Sequence, residues 1–344
     1  MRIAELSESH RFQLVDGPIR EPGPGEVQVR VDSVGICGSD LHYFAEGGIP
    51  GAPCVYPMVI GHEPAGEIVR TGPGVTGWSP GDRAALEPAH YCYHCEFCIT
   101  GHHNVCENIR FLSTPGEPGF FREFVNLPAA NALPLPPTLG FREATLFEPL
   151  AVILHSMKFA AIAPGESAVV FGAGPIGLLT IAMLKMAGCG RLWAVEPVAH
   201  RRDLARLLGA DEAVDPHAAD PVAEILRDTG RRGVDVSFDC AGRDDTINQC
   251  IHLTRSAGRV VLTAIFPEPR VPVEFHVVRR KELVMYNVRR SSHESETAIE
   301  LLHRYPERFV PMITHVRPLE EIQRVFDTLE RYADGIGKPV ISLR

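Results

Sequence analysis

Four cysteines, Cys92, Cys95, Cys98 and Cys106, fall in one short stretch at the spacing C-x2-C-x2-C-x7-C. Thiolates so placed on a single lobe can close a tetrahedron around one zinc ion, the arrangement of a structural site with no open position. A bacterial-type iron–sulfur cluster would show a last gap of three residues followed by proline; here the gap is seven and Glu107 follows. A second, more dispersed set consists of Cys37-Gly-Ser39-Asp40-Leu-His42-Tyr43, Gly61-His62-Glu63 and, further on, Glu148. One thiolate, one imidazole and one or two carboxylates suffice for a zinc site that keeps a position open for water or substrate. The third set is Gly172-Ala-Gly174-Pro175-Ile176-Gly177, directly after the apolar run Ser167–Phe171. Glycines at this spacing between a strand and a helix admit a tight turn, the approach of a pyrophosphate and close helix–strand packing. The helix N-terminus then offers its N–H groups to the phosphates. An acidic residue ending the next strand binds the adenosine ribose, and Glu196 stands at that distance; its charge favours NAD over NADP. Arg201 and Arg202 beside it are positioned to hold an extra phosphate and so pull the other way.

These residues need two kinds of scaffold. Up to about residue 149 the chain carries short β-type runs such as Val27–Val31, punctuated by PGPGE, TGPGV and SPGD. Proline and glycine at that density mark tight turns, so this part reads as a mostly β, barrel-like domain with an inserted cysteine lobe over about 88–110. FREATLFEPLAVILHSMKFAA then has helical periodicity and leads into the next domain. From Ser167 strands and helices alternate: SAVVFGAG, PIGLLTIAMLKMAG with proline in its first turn, RLWAVEP, AHRRDLARLLGA, then GVDVSFDCAG, GRVVLTAIF and ELVMYNV. Such alternation requires crossover connections and a parallel, doubly wound sheet over 150–290. Asp239 and Gly242, ending the fourth wound strand, face the nicotinamide side. The segment 291–344 is expected to return to the first domain.

Composition bounds the partners. The chain has 344 residues, a formal net charge of -9 and 45% hydrophobic residues. That length implies two domains, and the charge argues against nucleic acid or an anionic membrane as partner. No apolar run is long enough to span a bilayer, and the start has no signal-peptide pattern. Nine cysteines without an export signal read as thiols and metal ligands of a reducing, cytoplasmic compartment. Cys54, Cys189, Cys240 and Cys250 are expected to be buried free thiols. The apolar strand ELVMYNV is suited to pairing across a two-fold axis, which implies a homo-oligomer.

GHEPAGEIVRTGPGV, GDRAALEP, the cysteine tetrad and VVFGAGPIG together resemble the medium-chain zinc-dependent dehydrogenases, over essentially the whole chain and in the family's order. CGSDLHYF, LEPA, FLSTPGEPGFFREFV and LFEPLAVILH carry a narrower likeness to the polyol (sorbitol or xylitol) dehydrogenases. The resemblance implies a GroES-like catalytic domain in two segments, 1–149 and 291–344, beside a Rossmann domain over 150–290. Two zinc ions per chain are thus expected, with NAD favoured over NADP by Glu196; the resemblance points to a tetramer where the apolar strand points to a dimer. Position by position, Cys37 and His62 become catalytic-zinc ligands and Glu63 matches the carboxylate ligand. Glu148 matches a carboxylate that lies at the zinc, binding it directly or through water. Ser39 and His42 match proton-relay positions, while Tyr43, Phe111 and Arg290 match positions near the substrate. Ser291 departs from the aromatic residue usual there, and Arg289 adds a charge, which suits a sugar acid or another altered polyol.

The expected reaction is oxidation of a polyol or sugar-derived secondary alcohol. Zinc acidifies the hydroxyl, the proton leaves through Ser39 or through zinc-bound water assisted by Glu148, with His42 as outer relay, and hydride passes to the nicotinamide. Threonine or butanediol is the nearest alternative substrate. A zinc- and nucleotide-binding structural or sensor protein is the alternative from outside catalysis.

Overall fold

Residues Glu26–Gly35 form the strand around which the first part of the chain is organised. Its apolar residues Val27, Val29, Val31 and Val34 are buried, as expected where one face of a strand covers a core. One side pairs antiparallel with Glu63–Thr71. The other is shared: Phe124–Pro128 pairs with its first half and Lys338–Ser342 with its last residues. Arg83–Leu86, Ala132–Pro134 and Ile313–Pro318 complete a seven-stranded sheet. The enclosed core includes an aromatic cluster of Phe12, Phe44, Phe121 and Phe326, whose ring centroids lie 4.8–6.5 Å apart. This computed structural model describes residues 1–344.

The chain divides into two compact units, one comprising Met1–Ala151 with Ser292–Arg344 and the other Val152–Ser291. In the second unit six parallel strands take the order Glu212–Val214, Leu192–Val195, Ala168–Phe171, Val234–Asp239, Thr254–Leu262, Val284–Asn287. Numbered along the sequence this is 3-2-1-4-5-6, the doubly wound dinucleotide-binding order. The parallel sheet foreseen from the alternation is thus present, with one strand not read in advance: Glu212–Val214 has three residues and begins with an exposed glutamate. The helical run after residue 140 is broken into Phe141–Ala144 and Phe147–Ala160. No helix is long and apolar enough to cross a membrane.

Candidate active site

Cys37 ends the turn after Glu26–Gly35 and is the N-cap of the helix Gly38–Glu46. His62 and Glu63 stand at the start of the neighbouring strand, where Gly35 pairs with Glu63. Gly61 takes a φ of 92°, and a β-carbon there would meet the Phe121 ring at 3.0 Å, so glycine alone admits the bend before His62. The local register therefore brings together residues 25 positions apart. The thiol of Cys37, a ring nitrogen of His62 and a carboxylate oxygen of Glu63 all lie within 4.8 Å of one another. His62 and Glu63 are buried.

Asp40 organises this cluster, a role that its place in the Cys37–Tyr43 run did not announce. It is fully buried and accepts hydrogen bonds from the backbone N–H of Cys37 at 3.0 Å, that of Gly61 at 3.1 Å and the Ser113 hydroxyl at 3.2 Å. Its Oδ1 also lies 3.3 Å from Nδ1 of His62. One carboxylate thus ties both ligand-bearing segments and directs the other nitrogen, Nε2, to the cluster. An outer carboxylate on a metal-ligating histidine fixes the ring and raises its basicity. Burial raises the Asp40 pKa, but His62 and the two backbone donors outweigh it and hold the carboxyl below its ordinary range. Burial likewise opposes charge on His62, yet Asp40 and Cys37 hold its pKa well above the usual value. The donor set is built to surround positive charge. A thiol, an imidazole and a carboxylate with such an outer shell fit zinc.

The remaining expected residues are placed as follows. The Ser39 hydroxyl is 3.5 Å from His62 Nε2. His42, one turn along the helix, bonds through Nδ1 to Glu46 at 2.9 Å. The Phe111 ring centroid lies 5.4 Å from that of His62. Glu148 is buried but is not one of the three mutually close ligand groups. Burial raises its pKa to about 7; His62 and Lys338 oppose that rise while Glu63 and Glu87 reinforce it. Tyr43 is buried in the hydrophobic core of the first unit. Arg290 belongs to the second unit, at a φ of 54°.

The tetrad closes on itself. Cys92 and Cys98 sulfurs are 3.9 Å apart, Cys95 and Cys106 3.9 Å, and Cys92 and Cys106 3.5 Å. A tetrahedron with zinc–sulfur bonds of about 2.3 Å has edges of about 3.8 Å, whereas a disulfide would need about 2.05 Å. All nine cysteines are free. Backbone N–H groups of His94 and Cys95 lower the Cys92 pKa to about 5, preparing one thiolate. These residues fit a four-cysteine zinc site. Among the unassigned cysteines, burial pushes Cys189 to about 11 and Cys240 to about 12, so both remain thiols.

In the second unit Gly172 has a φ of 84°. A β-carbon on Gly177 would lie 1.8 Å from the Gly172 carbonyl oxygen, so the helix Pro175–Met186 packs on the turn only with glycine there. At Gly174 the nearest protein atom to such a carbon is Arg201 Nη1 at 3.9 Å, leaving the backbone approachable. Pro175 and Ile176 open the helix, whose N-cap Gly174 supplies no side-chain acceptor. Glu196 accepts from the backbone N–H of Ala173 at 2.6 Å and of Val198 at 3.0 Å, which sets its carboxylate against the glycine turn. Arg202 is held by the Glu196 and Pro197 carbonyls and by Asp215 at 2.9 Å. Asp239 accepts from Ala241 and Gly242 N–H groups at 2.9 Å each, fixing the turn at its strand end.

A thiolate–imidazole–carboxylate cluster on a β unit, a separate cysteine lobe and a glycine turn on a doubly wound sheet define a zinc-binding dehydrogenase. Comparison with known proteins agrees. Residues 23–137 match the alcohol dehydrogenase GroES-like domain and residues 175–304 the zinc-binding dehydrogenase domain. Sorbitol dehydrogenase of Gallus gallus is 36% identical over 93% of this chain and 90% of its own length. A zinc-binding dehydrogenase from Sinorhizobium meliloti 1021, crystallised with NADP, superposes with a TM-score of 0.91 at 30% identity, covering 99% of this chain and 98% of its own. The 2R,3R-butanediol dehydrogenase of Bacillus subtilis gives 0.88 at 30% identity, over 100% and 99%. The chain belongs to the medium-chain zinc-dependent alcohol dehydrogenases, in their polyol dehydrogenase-like branch.

Proposed function

We propose that this protein oxidises a secondary hydroxyl of a polyol or sugar-derived alcohol, with zinc held by Cys37, His62 and Glu63 and with NAD as hydride acceptor. The convergence of those three groups within 4.8 Å, around a histidine already oriented by Asp40, carries the reading. When bound, zinc supplies Lewis acidity toward the substrate hydroxyl and NAD takes the hydride. Ser39, beside His62 Nε2, accepts the hydroxyl proton, and His42, steadied by Glu46, is the outer acceptor. Glu148, whose carboxyl burial holds near neutrality, assists proton movement next to the cluster. Phe111, beside the His62 ring, shapes the substrate side, and Arg290 favours a substrate with an acidic or strongly polar end. A second zinc, held by Cys92, Cys95, Cys98 and Cys106, has a structural role.

Glu196 supports NAD, because its carboxylate at the glycine turn repels a 2′-phosphate. Arg202 is engaged by Asp215 and two carbonyls, and Arg201 contributes to holding the pyrophosphate. A kcat/KM ratio favouring NADP would overturn this choice. The exposed Val284 on the edge strand Val284–Asn287 supports assembly into a homo-oligomer.

The vicinal-diol reading rests on the likeness to butanediol dehydrogenase. The deciding experiment measures NADH formation with a panel of polyols, sugar acids, threonine and short diols. A polyol preference is expected; a preference for butanediol or threonine would move the assignment. Cys37→Ser is expected to abolish turnover while NAD binding, read by calorimetry, persists. Retained turnover would refute the zinc assignment. A protein that binds zinc and nucleotide yet oxidises none of these alcohols would be the non-catalytic alternative.

A further inference from the structure

Lys338 is the one buried lysine among the chain's four, and the expected chemistry gives it no task. It opens the strand Lys338–Ser342, and its ammonium donates to the Ile36 carbonyl at 2.8 Å, the residue before Cys37. The same ammonium forms an ion pair with Oε2 of Glu63, both side chains being fully buried. Neither Glu63 oxygen accepts a further hydrogen bond from protein. Gly35 makes room for this arrangement, since a β-carbon there would come within 2.1 Å of that same oxygen. The carboxylate therefore rests in a seat built from three strands, paired with the lysine and within 4.8 Å of both the Cys37 thiol and a His62 ring nitrogen.

Two cations facing one buried carboxylate compete for it. A buried carboxylate without a partner is strongly disfavoured, so whichever cation holds Glu63 less tightly still keeps it from the other. We propose that Lys338 is a positioning residue that shares Glu63 with the zinc, weakening this one ligand so that it exchanges readily while Cys37 and His62 stay fixed. The proposal rests on the zinc dehydrogenase reading above. It differs in sign from a merely structural role. A lysine that only stabilised the fold would, once removed, loosen zinc; a lysine that competes would, once removed, tighten it.

The test is chelator-driven zinc release from the purified holoenzyme, where the four-cysteine site serves as an internal control. Lys338→Gln keeps a donor for Ile36 and Glu63 without the charge, and Lys338→Met removes both; thermal unfolding confirms that each variant is folded. The expected result is release from the Cys37–His62–Glu63 site slowed about tenfold, on the scale outer-shell changes have on metal affinity, with tetrad release unchanged. In a Glu63→Gln background the Lys338→Gln change is expected to alter release by less than about twofold. Release in the single variants within about twofold of the parent, or faster, overturns the proposal. The parent protein separates the two levels of failure. If it lacks two zinc ions or forms no NADH from any alcohol, the functional reading fails. If it has both and only the variants disagree, the role of Lys338 alone fails.

Discussion

Asp40 shows how much of a candidate metal centre can reside in a residue outside its donor set. It gathers two backbone N–H groups, a hydroxyl and an imidazole from three separate segments onto one buried carboxylate. Asp40→Asn keeps the size and removes the charge. We expect zinc affinity at the Cys37–His62–Glu63 cluster to fall about 10- to 100-fold, measured by competition with a chromophoric chelator, with the tetrad unaffected. Affinity equal to the parent's would show that the ring is oriented by other contacts. Cys37, His62 and Glu63 were legible because metal-binding residue types stand in two short motifs beside glycines, Cys37-Gly-Ser39 and Gly61-His62-Glu63. Asp40 left a weaker trace, an acid three residues after an N-cap position, where it meets the N-cap N–H. Lys338 left none, since its partner Glu63 lies 275 positions away and meets it only through strand pairing.

At the scale of elements, the glycine turn was readable in detail because each glycine answers a separate steric demand. The strand Glu212–Val214 was not, because three half-exposed residues at a sheet edge carry no apolar run. The first and fourth wound strands also depend on a clamp away from that turn. Asp235 accepts from the N–H and hydroxyl of Ser167, at 2.9 and 2.8 Å, and pairs with Arg232 at 2.7 Å and Arg255 at 2.6 Å. Burial raises the pKa of this carboxyl, but the two arginines and Ser167 override it and hold it far below the usual range. A depressed folded-state pKa contributes stability that is present above the unfolded value of about 3.9 and lost as pH falls toward the folded one. Asp235→Asn should therefore cost about 2–4 kcal/mol near neutrality. In denaturant titrations this penalty should shrink as pH drops below about 4. A penalty equal at neutral and strongly acid pH would rule out the charged clamp as its source.

Across the whole molecule, the two proposed metal sites have separable consequences. Cys95→Ser opens the tetrad without touching the Cys37 cluster. The expected outcome is loss of one zinc per chain by elemental analysis and a lower Tm, with bound NAD still detectable. Loss of both metals together would mean the lobe and the cluster fold as one cooperative unit. The class of fold was legible from alternation and punctuation because a parallel sheet needs crossovers and a β unit needs turns.

The antiparallel pairing of Lys338–Ser342 with Glu26–Gly35 also sets an order of events during synthesis. The strand that receives it is made early, whereas the strand that donates it emerges more than 300 residues later. The continuous unit Val152–Ser291 is complete before that, and domains fold as units while the chain elongates. Glu63 thus waits for its buried lysine until residue 338 has left the ribosome, 275 positions after its own. Metal reaching the Cys37 cluster on a nascent chain would meet an undivided carboxylate, and the shared state would arise only when the last strand docks.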